Sequence, residues 1–352
     1  MTMPPDHEPT VKLSSASSIP WLRISIAVIL GTAVVLIFGR NLNLSDIQEA
    51  YSEANKVNIA LSLLIIIATI ILKTWRWELM FVPTSERPRF GSAYHSLVLG
   101  QFFNLIFPMR IGDAARIYSI DSQSGMGKVR SLSTLVIEKT LEILGLLLSV
   151  ILLIPFFVVP DFVLESGYPL ALISIAILLL LVVLTFRTEQ VISFVNKISS
   201  VLPKRAQNLI FGVVVAGLEG LEALRNWKLS LWLGFLTLSI VILSVVVPFL
   251  LFLAFDYPFG VAEAVLLNLV VTLGMVPPST PGKIVVFEGL VILMLRQFGA
   301  EDGSSMLSYA LTFHLVVILP QIIMGLVAFL RGSRRVPSAN GSEVSESTPR
   351  QS

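Results

Sequence analysis

Apolar residues in this chain gather into long unbroken blocks separated by short polar stretches. Six blocks read as full membrane spans, at about 21–38, 57–73, 131–154, 170–186, 229–254 and 305–330. A span requires roughly 20 predominantly apolar residues. Two further blocks stop early. Residues 92–107, SAYHSLVLGQFFNLIF, end at Pro108 and are followed by MRIGDAAR. Residues 261–276, VAEAVLLNLVVTLGMV, end at Pro277 and Pro278, and KIVVFEGLVILMLRQF resumes after Gly282. At a rise of about 1.5 Å per residue, each piece of about 16 residues reaches about 24 Å, short of the roughly 30 Å hydrocarbon core. The pattern predicts an all-α polytopic membrane protein of about six full transmembrane helices plus two re-entrant, broken helical hairpins, at about 92–127 and 261–299.

The two breaks share a spacing. Pro108 to Gly112 and Pro278 to Gly282 are both P-x-x-x-G, with Pro281 inside the second, and charge follows each glycine directly as Asp113 and Lys283. The distribution of Lys and Arg gives their sidedness, because cytoplasmic loops carry the excess. Stretches 73–91, 110–130 and 187–228 and the flank after Arg331 are rich in Lys and Arg, whereas 155–169, 255–260 and 299–304 carry only acids. This places both termini in the cytoplasm of a multi-pass protein of the cell (inner) membrane. It holds with six spans if 92–127 enters and leaves from the cytoplasmic side and 261–299 from the outer side; a plain eight-span count puts 73–91 or 110–130 outside, against the charge. Broken helices approaching from opposite faces are the mark of an inverted repeat with a substrate site at the midplane.

Composition agrees: the 352 residues are 55% hydrophobic and 14% charged, and the mean hydropathy is +0.83. The absence of cysteine excludes disulfides, thiolate catalysis and Cys-ligated metal sites. Residues 1–19 and 332–352 are polar and are expected to be disordered cytoplasmic ends of the 20–331 membrane domain. The 187–228 segment reads as an amphipathic connector, with Leu218, Leu221 and Leu224 on one face and Glu219, Glu222 and Arg225 on another.

Ionisable side chains at membrane depth are costly unless paired or hydrated, so each is a functional candidate. The first group is Arg110, Asp113 and Arg116 at the first break, the last two spaced to share a helical face. The second is Glu138, Lys139 and Glu142, whose two carboxylates point the same way and need Arg110, Arg116 or Lys139 as partners. The third is Lys283 and Glu288 after the second break, with Glu263 at its approach. The plain alternatives are ion pairs that lock helices together, or long side chains reaching to water. Arg116 and Glu288, in equivalent zones of the two half-helices, favour function: half-helix N-termini beside Arg and Lys suit an anionic group such as phosphate. His95 and His314 read as packing residues, and Trp75, Arg76 and Trp77 in KTWRWELM as interfacial anchoring. No metal-spaced histidines, HExxH, GxSxG, Walker A or GxGxxG motif is present, so no cofactor and no metal is expected.

Three stretches, GQFFNLIFPMRIGDAARIY, LVIEKTLEILGLLL and VPPSTPGKIVVFEGLVILML, resemble the hallmarks of the flippase-like family, that of the lysylphosphatidylglycerol synthase transmembrane region. The resemblance covers roughly 20–331. Asn104, Pro108, Gly112, Asp113 and Arg116 match its first motif; Glu138, Lys139 (for Arg) and Glu142 (for Asp) its second; Pro278, Pro281, Gly282 and Glu288 its third. Lys283 and Val285 stand where glycines are common, which makes the second break stiffer and more cationic than usual. KTWRW also resembles the family's Arg/Trp-rich end of the second helix.

The resemblance implies movement of membrane lipids, by a stand-alone membrane domain without the aminoacyl-transferase domain fused in some members. The expectation is a flippase or lipid transporter for a phospholipid, polyprenyl-linked or other anionic-headgroup lipid, and not an enzyme. Asn104, Arg110, Asp113, Arg116, Glu138, Lys139, Glu142, Lys283 and Glu288 form its site: Arg116 and Lys283 bind phosphate, while Glu138, Glu142 and Glu288 balance charge or couple to protons. The alternative is a membrane-embedded transferase or accessory subunit in lipid or polyprenyl-linked glycan modification, and a channel fits the repeat but not the resemblance. Expected partners are membrane lipids, with room for a homo-oligomer or a lipid-modifying enzyme, and no nucleic acid.

Overall fold

The structure, a computed structural model, describes residues 44–81, 87–107, 110–153, 182–199, 203–221, 225–275 and 283–333, with isolated helical positions between 172 and 180. The 21–38 span, both polar ends, and the break residues Pro108, Pro278, Pro281 and Gly282 lie outside the described residues.

The described chain is helical, with no strand among the described residues. The helices are α1 (Leu44–Glu53), α2 (Lys56–Leu79), α3 (Phe90–Ile106), α4 (Ile111–Ser124), α5 (Lys128–Leu153), α6 (Thr188–Ser199), α7 (Lys204–Leu221), α8 (Trp227–Ala254), α9 (Val261–Gly274), α10 (Val286–Gln297) and α11 (Gly303–Ser333). Among the described residues α2, α8 and α11 are long and apolar enough to cross a membrane. At 26 residues α5 is as long, but it carries Glu138, Lys139 and Glu142 near its middle. The interrupted blocks become two helical hairpins of short arms. Their arms have 17 and 14 residues in α3 and α4 and 14 and 12 in α9 and α10, about 25, 21, 21 and 18 Å at the α-helical rise.

α1 falls in the polar stretch between the 21–38 and 57–73 blocks. Its Tyr51 packs edge-on against Phe255 at 6.2 Å, and the Tyr51 hydroxyl accepts a hydrogen bond from Thr312 at 2.8 Å. Burial of one aromatic face is what such a short helix needs, since isolated helices of this length are marginal.

α2 and α8 run antiparallel along each other. Asn55 donates its N–H to Ala254 (2.8 Å), Arg76 reaches Thr237 (3.1 Å), and Trp75 lies 6.1 Å from Trp232. Both helices start alike: Asn55 and Asn226 each accept hydrogen bonds from the second and third following N–H groups, an N-cap that satisfies donors the first turn leaves open. Two apolar cores form at opposite ends of this pair. One gathers α9 and α10 with the end of α8 and the start of α11, around Leu251, Leu266, Val291 and Met294. The other gathers α3 and Ile120 of α4 with the end of α2 and the start of α8, around Trp77, Phe81, Leu97 and Leu233. The two hairpins are therefore buried at opposite ends of the α2–α8 pair.

The contacts keep their pattern when α2–α5 and α8–α11 are exchanged. α2 packs on α3 as α8 packs on α9, α4 on α5 as α10 on α11, α2 on α11 as α8 on α5, and α3 on α11 as α9 on α5.

Candidate functional site

The arms of the first hairpin meet backbone to backbone. A Cβ placed on Gly112 would collide with the Gly100 carbonyl oxygen and with Asn104. That closeness sets Asn104, in the last turn of α3, against the first turn of α4, and its Nδ2 donates to Asp113 Oδ1 at 2.9 Å. Asp113 thus sits at a helix N-terminus, where a carboxylate is favoured. At the tip, Arg110 takes left-handed backbone (φ 54°, ψ 37°) and its side chain is exposed.

One helical turn into α4, Arg116 turns away from the tip. Its two terminal nitrogens donate to the two Glu138 oxygens, Nη1 to Oε1 at 3.0 Å and Nη2 to Oε2 at 2.6 Å. The guanidinium also lies over the Trp77 ring, 3.7 Å from its centroid, and the Trp77 Nε1–H donates to Thr134 at 3.1 Å. Both charged side chains are nearly fully buried, 6% and 3% exposed. A bidentate guanidinium–carboxylate pair stacked on an aromatic face is the geometry in which Arg binds most specifically.

Glu142, one turn further along α5, collects three cations: Arg76 at 3.0 Å, Lys139 at 3.1 Å and Lys73 at 3.6 Å. Lys139 also reaches Glu138 at 3.9 Å, so it spans both carboxylates. The repulsion expected between two acids on one helical face is thereby answered from α2 and α4 as well as from α5. Arg110, named among the possible partners, is not one of them.

In the second hairpin Lys283, at the tip, takes left-handed backbone like Arg110 (φ 56°), and its Nζ donates to the Met275 carbonyl at 3.1 Å. It lies within Coulombic range of Arg110, Lys139 and Asp113. The Lys283 side chain of the second hairpin is therefore within electrostatic reach of the first hairpin and of α5. Glu288 is set apart from this cluster: it accepts the Val285 N–H at 2.6 Å and faces His314 Nδ1 of α11 at 2.6 Å.

The fold thus brings Asn104, Arg110, Asp113, Arg116, Glu138, Lys139, Glu142 and Lys283 to one centre, and places Glu288 in a second, smaller one. Four residues differ from their expected roles. Arg116 is consumed by Glu138 and Trp77 instead of being open to phosphate. Arg76 and Trp77 are fully buried rather than interfacial anchors, because α2 runs on to Leu79 and turns them toward α5; Trp75 alone is exposed, at 42%. His314 is not mere packing, since it pairs with Glu288. The signal for Arg76 was its spacing from Lys73, one turn apart on the same face. For His314 it was an imidazole in a run with no polar neighbour to satisfy it. Glu263, at the approach to the second break, caps α9 by accepting the Gly260 N–H at 2.8 Å. Among the described residues no group of three His, Asp or Glu side chains is placed to hold a metal ion.

An all-helical membrane domain with a charged centre where two helical hairpins meet defines the class. The chain belongs to the family of the lysylphosphatidylglycerol synthase TM region, whose family model matches residues 22–325. No curated protein matches the chain.

Proposed function

We propose that this protein moves lipids with anionic headgroups between the leaflets of the cell membrane, binding the headgroup phosphate where the two hairpin tips meet. The observation that supports the reading is that Lys283 of the second hairpin shares one electrostatic neighbourhood with Arg110 and Asp113 of the first hairpin and with Lys139 of α5. Across the whole centre six cationic side chains, Lys73, Arg76, Arg110, Arg116, Lys139 and Lys283, face three carboxylates, Asp113, Glu138 and Glu142. Such an excess at membrane depth is costly until an anion joins it. Arg116, Arg76, Lys139, Glu138 and Glu142 build the frame; Arg110 and Lys283 supply the binding charge.

In this reading the hairpins are re-entrant and form an inverted repeat, with six full spans and both termini in the cytoplasm. The antiparallel α2–α8 pair, the hairpins at its opposite ends and the exchangeable contacts support that arrangement. Alternate exposure of the tip cluster to the two leaflets would follow from rocking one repeat against the other.

A phospholipid and a polyprenyl-linked lipid present the same phosphate chemistry; native mass spectrometry of the purified protein separates them by the mass of what co-purifies. The lipid so found is then labelled and reconstituted in proteoliposomes. Wild type is expected to equilibrate it between leaflets and the Arg110→Ala/Lys283→Ala variant to lose both binding and movement. A double variant that moves lipid as fast as wild type would sink the assignment.

A further inference from the structure

The two hairpins are fastened to the helices that follow them in chemically different ways. In the first, Arg116 of α4 holds Glu138 of α5 by two hydrogen bonds, and a guanidinium is not deprotonated in proteins. That fastening contains no group whose charge ordinarily changes near neutral pH. In the second, Glu288 of α10 holds His314 of α11 through one bond of 2.6 Å. Imidazole is the side chain whose charge ordinarily changes between about pH 5 and 8.

The Glu288 carboxylate has a second task. Its other oxygen accepts the Val285 N–H at 2.6 Å, and Val285 sits at φ 81° two residues after Lys283 at φ 56°. A β-branched residue at positive φ is a genuine outlier, and such backbone persists only where neighbouring groups hold it. One carboxylate therefore ties a strained hairpin tip to an imidazole on the next helix. The pair is shielded: Glu288 is 9% exposed and His314 4%, and the Phe287 ring stacks on the imidazole at 4.4 Å and 9°, itself backed by Phe313.

The titratable groups on the surrounding elements are engaged elsewhere or lie at helix ends. On α11 Tyr309 donates to the Pro248 carbonyl and Arg331 is in the last turn; on α1 Tyr51 sits on Thr312. On α9 Glu263 caps Gly260, on α10 Arg296 is in the last turn, and on α2 Lys73 and Arg76 are on Glu142. Lys283, at the tip, bonds Met275, and His95 and Tyr94 lie in the first half of α3.

We propose that Glu288 and His314 form a proton-binding site that latches the second hairpin onto α11 and couples proton movement to movement of the lipid. The coupling rests on the lipid-moving reading above; the latch itself does not. With His314 neutral, Nδ1–H donates to the Glu288 carboxylate and the pair carries one negative charge. A proton taken at Nε2 makes an imidazolium–carboxylate pair with no net charge, and no other bond changes. A buried net charge is unfavourable, so the protonated pair is the docked form. Loss of the proton favours a hairpin that leaves α11 and exposes Glu288 to water.

The test uses the absence of cysteine. A cysteine placed at Ile284, which is 47% exposed beside Lys283, reports the state of the tip through its rate of modification by an uncharged reagent. The full chain is reconstituted in vesicles of phosphatidylcholine and phosphatidylglycerol. Rates are corrected for the intrinsic titration of the thiol using a second cysteine at the exposed Ser52. The corrected rate should rise with pH in the Ile284→Cys protein and lose that dependence when His314→Gln or Glu288→Gln is added. A flat corrected rate in Ile284→Cys alone, or an unchanged pH profile in both added variants, overturns the latch. The same vesicles carry labelled phosphatidylglycerol and a one-unit pH difference, which drives about a tenfold leaflet asymmetry for one coupled proton. Wild type should build that asymmetry and His314→Gln should lose it. Equal asymmetry in both, or equilibration without asymmetry in wild type, overturns the coupling. A pH-dependent tip with no movement of phosphatidylglycerol, or of the lipid that co-purifies, keeps the latch and refutes lipid transport instead.

Discussion

Removing Arg116 separates the two roles assigned to the charged centre. In Arg116→Ala, Glu138 loses two charge-assisted hydrogen bonds of 3.0 and 2.6 Å, and the Trp77 face loses the cation 3.7 Å above it. Glu138 is 3% exposed, so its charge is left without water to replace the guanidinium. Breaking a buried pair by deleting one partner costs about 3–5 kcal/mol. Lys139, 3.9 Å from Glu138, offers partial compensation and puts the expectation near the lower end, about 3 kcal/mol. The Arg116→Met/Glu138→Leu variant removes both charges and should recover most of that loss, because an apolar pair of similar volume replaces the ions. The assay is thermal unfolding of purified protein in detergent, with the two single variants and the double variant forming a mutant cycle. Arg116→Ala as stable as wild type, or losses that add without coupling, would refute the claim that Arg116 is committed to Glu138.

Lys283→Ala and Arg110→Ala, by contrast, should leave unfolding nearly unchanged and each weaken binding of an anionic lipid by about 1 kcal/mol, roughly fivefold, in titrations by native mass spectrometry. Gly112→Ala should force the first hairpin open against the Gly100 carbonyl, costing about 1–3 kcal/mol or more as overpacking does. Gly212→Ala, inside α7 where a Cβ meets nothing within 4 Å, should instead stabilise by up to about 1 kcal/mol in the same unfolding assay. Arg76→Ala should lower stability more than Lys73→Ala, since Arg76 is fully buried on Glu142 and Thr237 while Lys73 is 29% exposed at 3.6 Å; equal losses would remove Arg76 from the frame.

Much of the site was legible in the chain because breaks and charges stand out in an apolar background. The positions of both hairpins followed from prolines and glycines that interrupt a helix, and Glu138 and Glu142 shared a face because their spacing makes them do so. What spacing does not contain is the partner. Arg116 was marked out as important, but whether it faces a ligand or a carboxylate depends on α5 arriving beside α4. Arg76 looked like the end of a span because tryptophans flank it, and only the arrival of α5 and α8 beside α2 turns it inward. His314 lies 26 residues from Glu288, beyond the reach of any local pattern. α1 was missed because its stability comes from Phe255 and Thr312, contributed from far along the chain.

The contact between Gly100 and Gly112 also decides a route. Where one methyl group would strike the opposing carbonyl, neither an acyl chain nor a phosphate can pass between α3 and α4. The first hairpin is a closed wall at that level, and traffic along it is confined to its rim. In the lipid-moving reading proposed above, a headgroup carried along this hairpin would pass around its rim rather than between its arms.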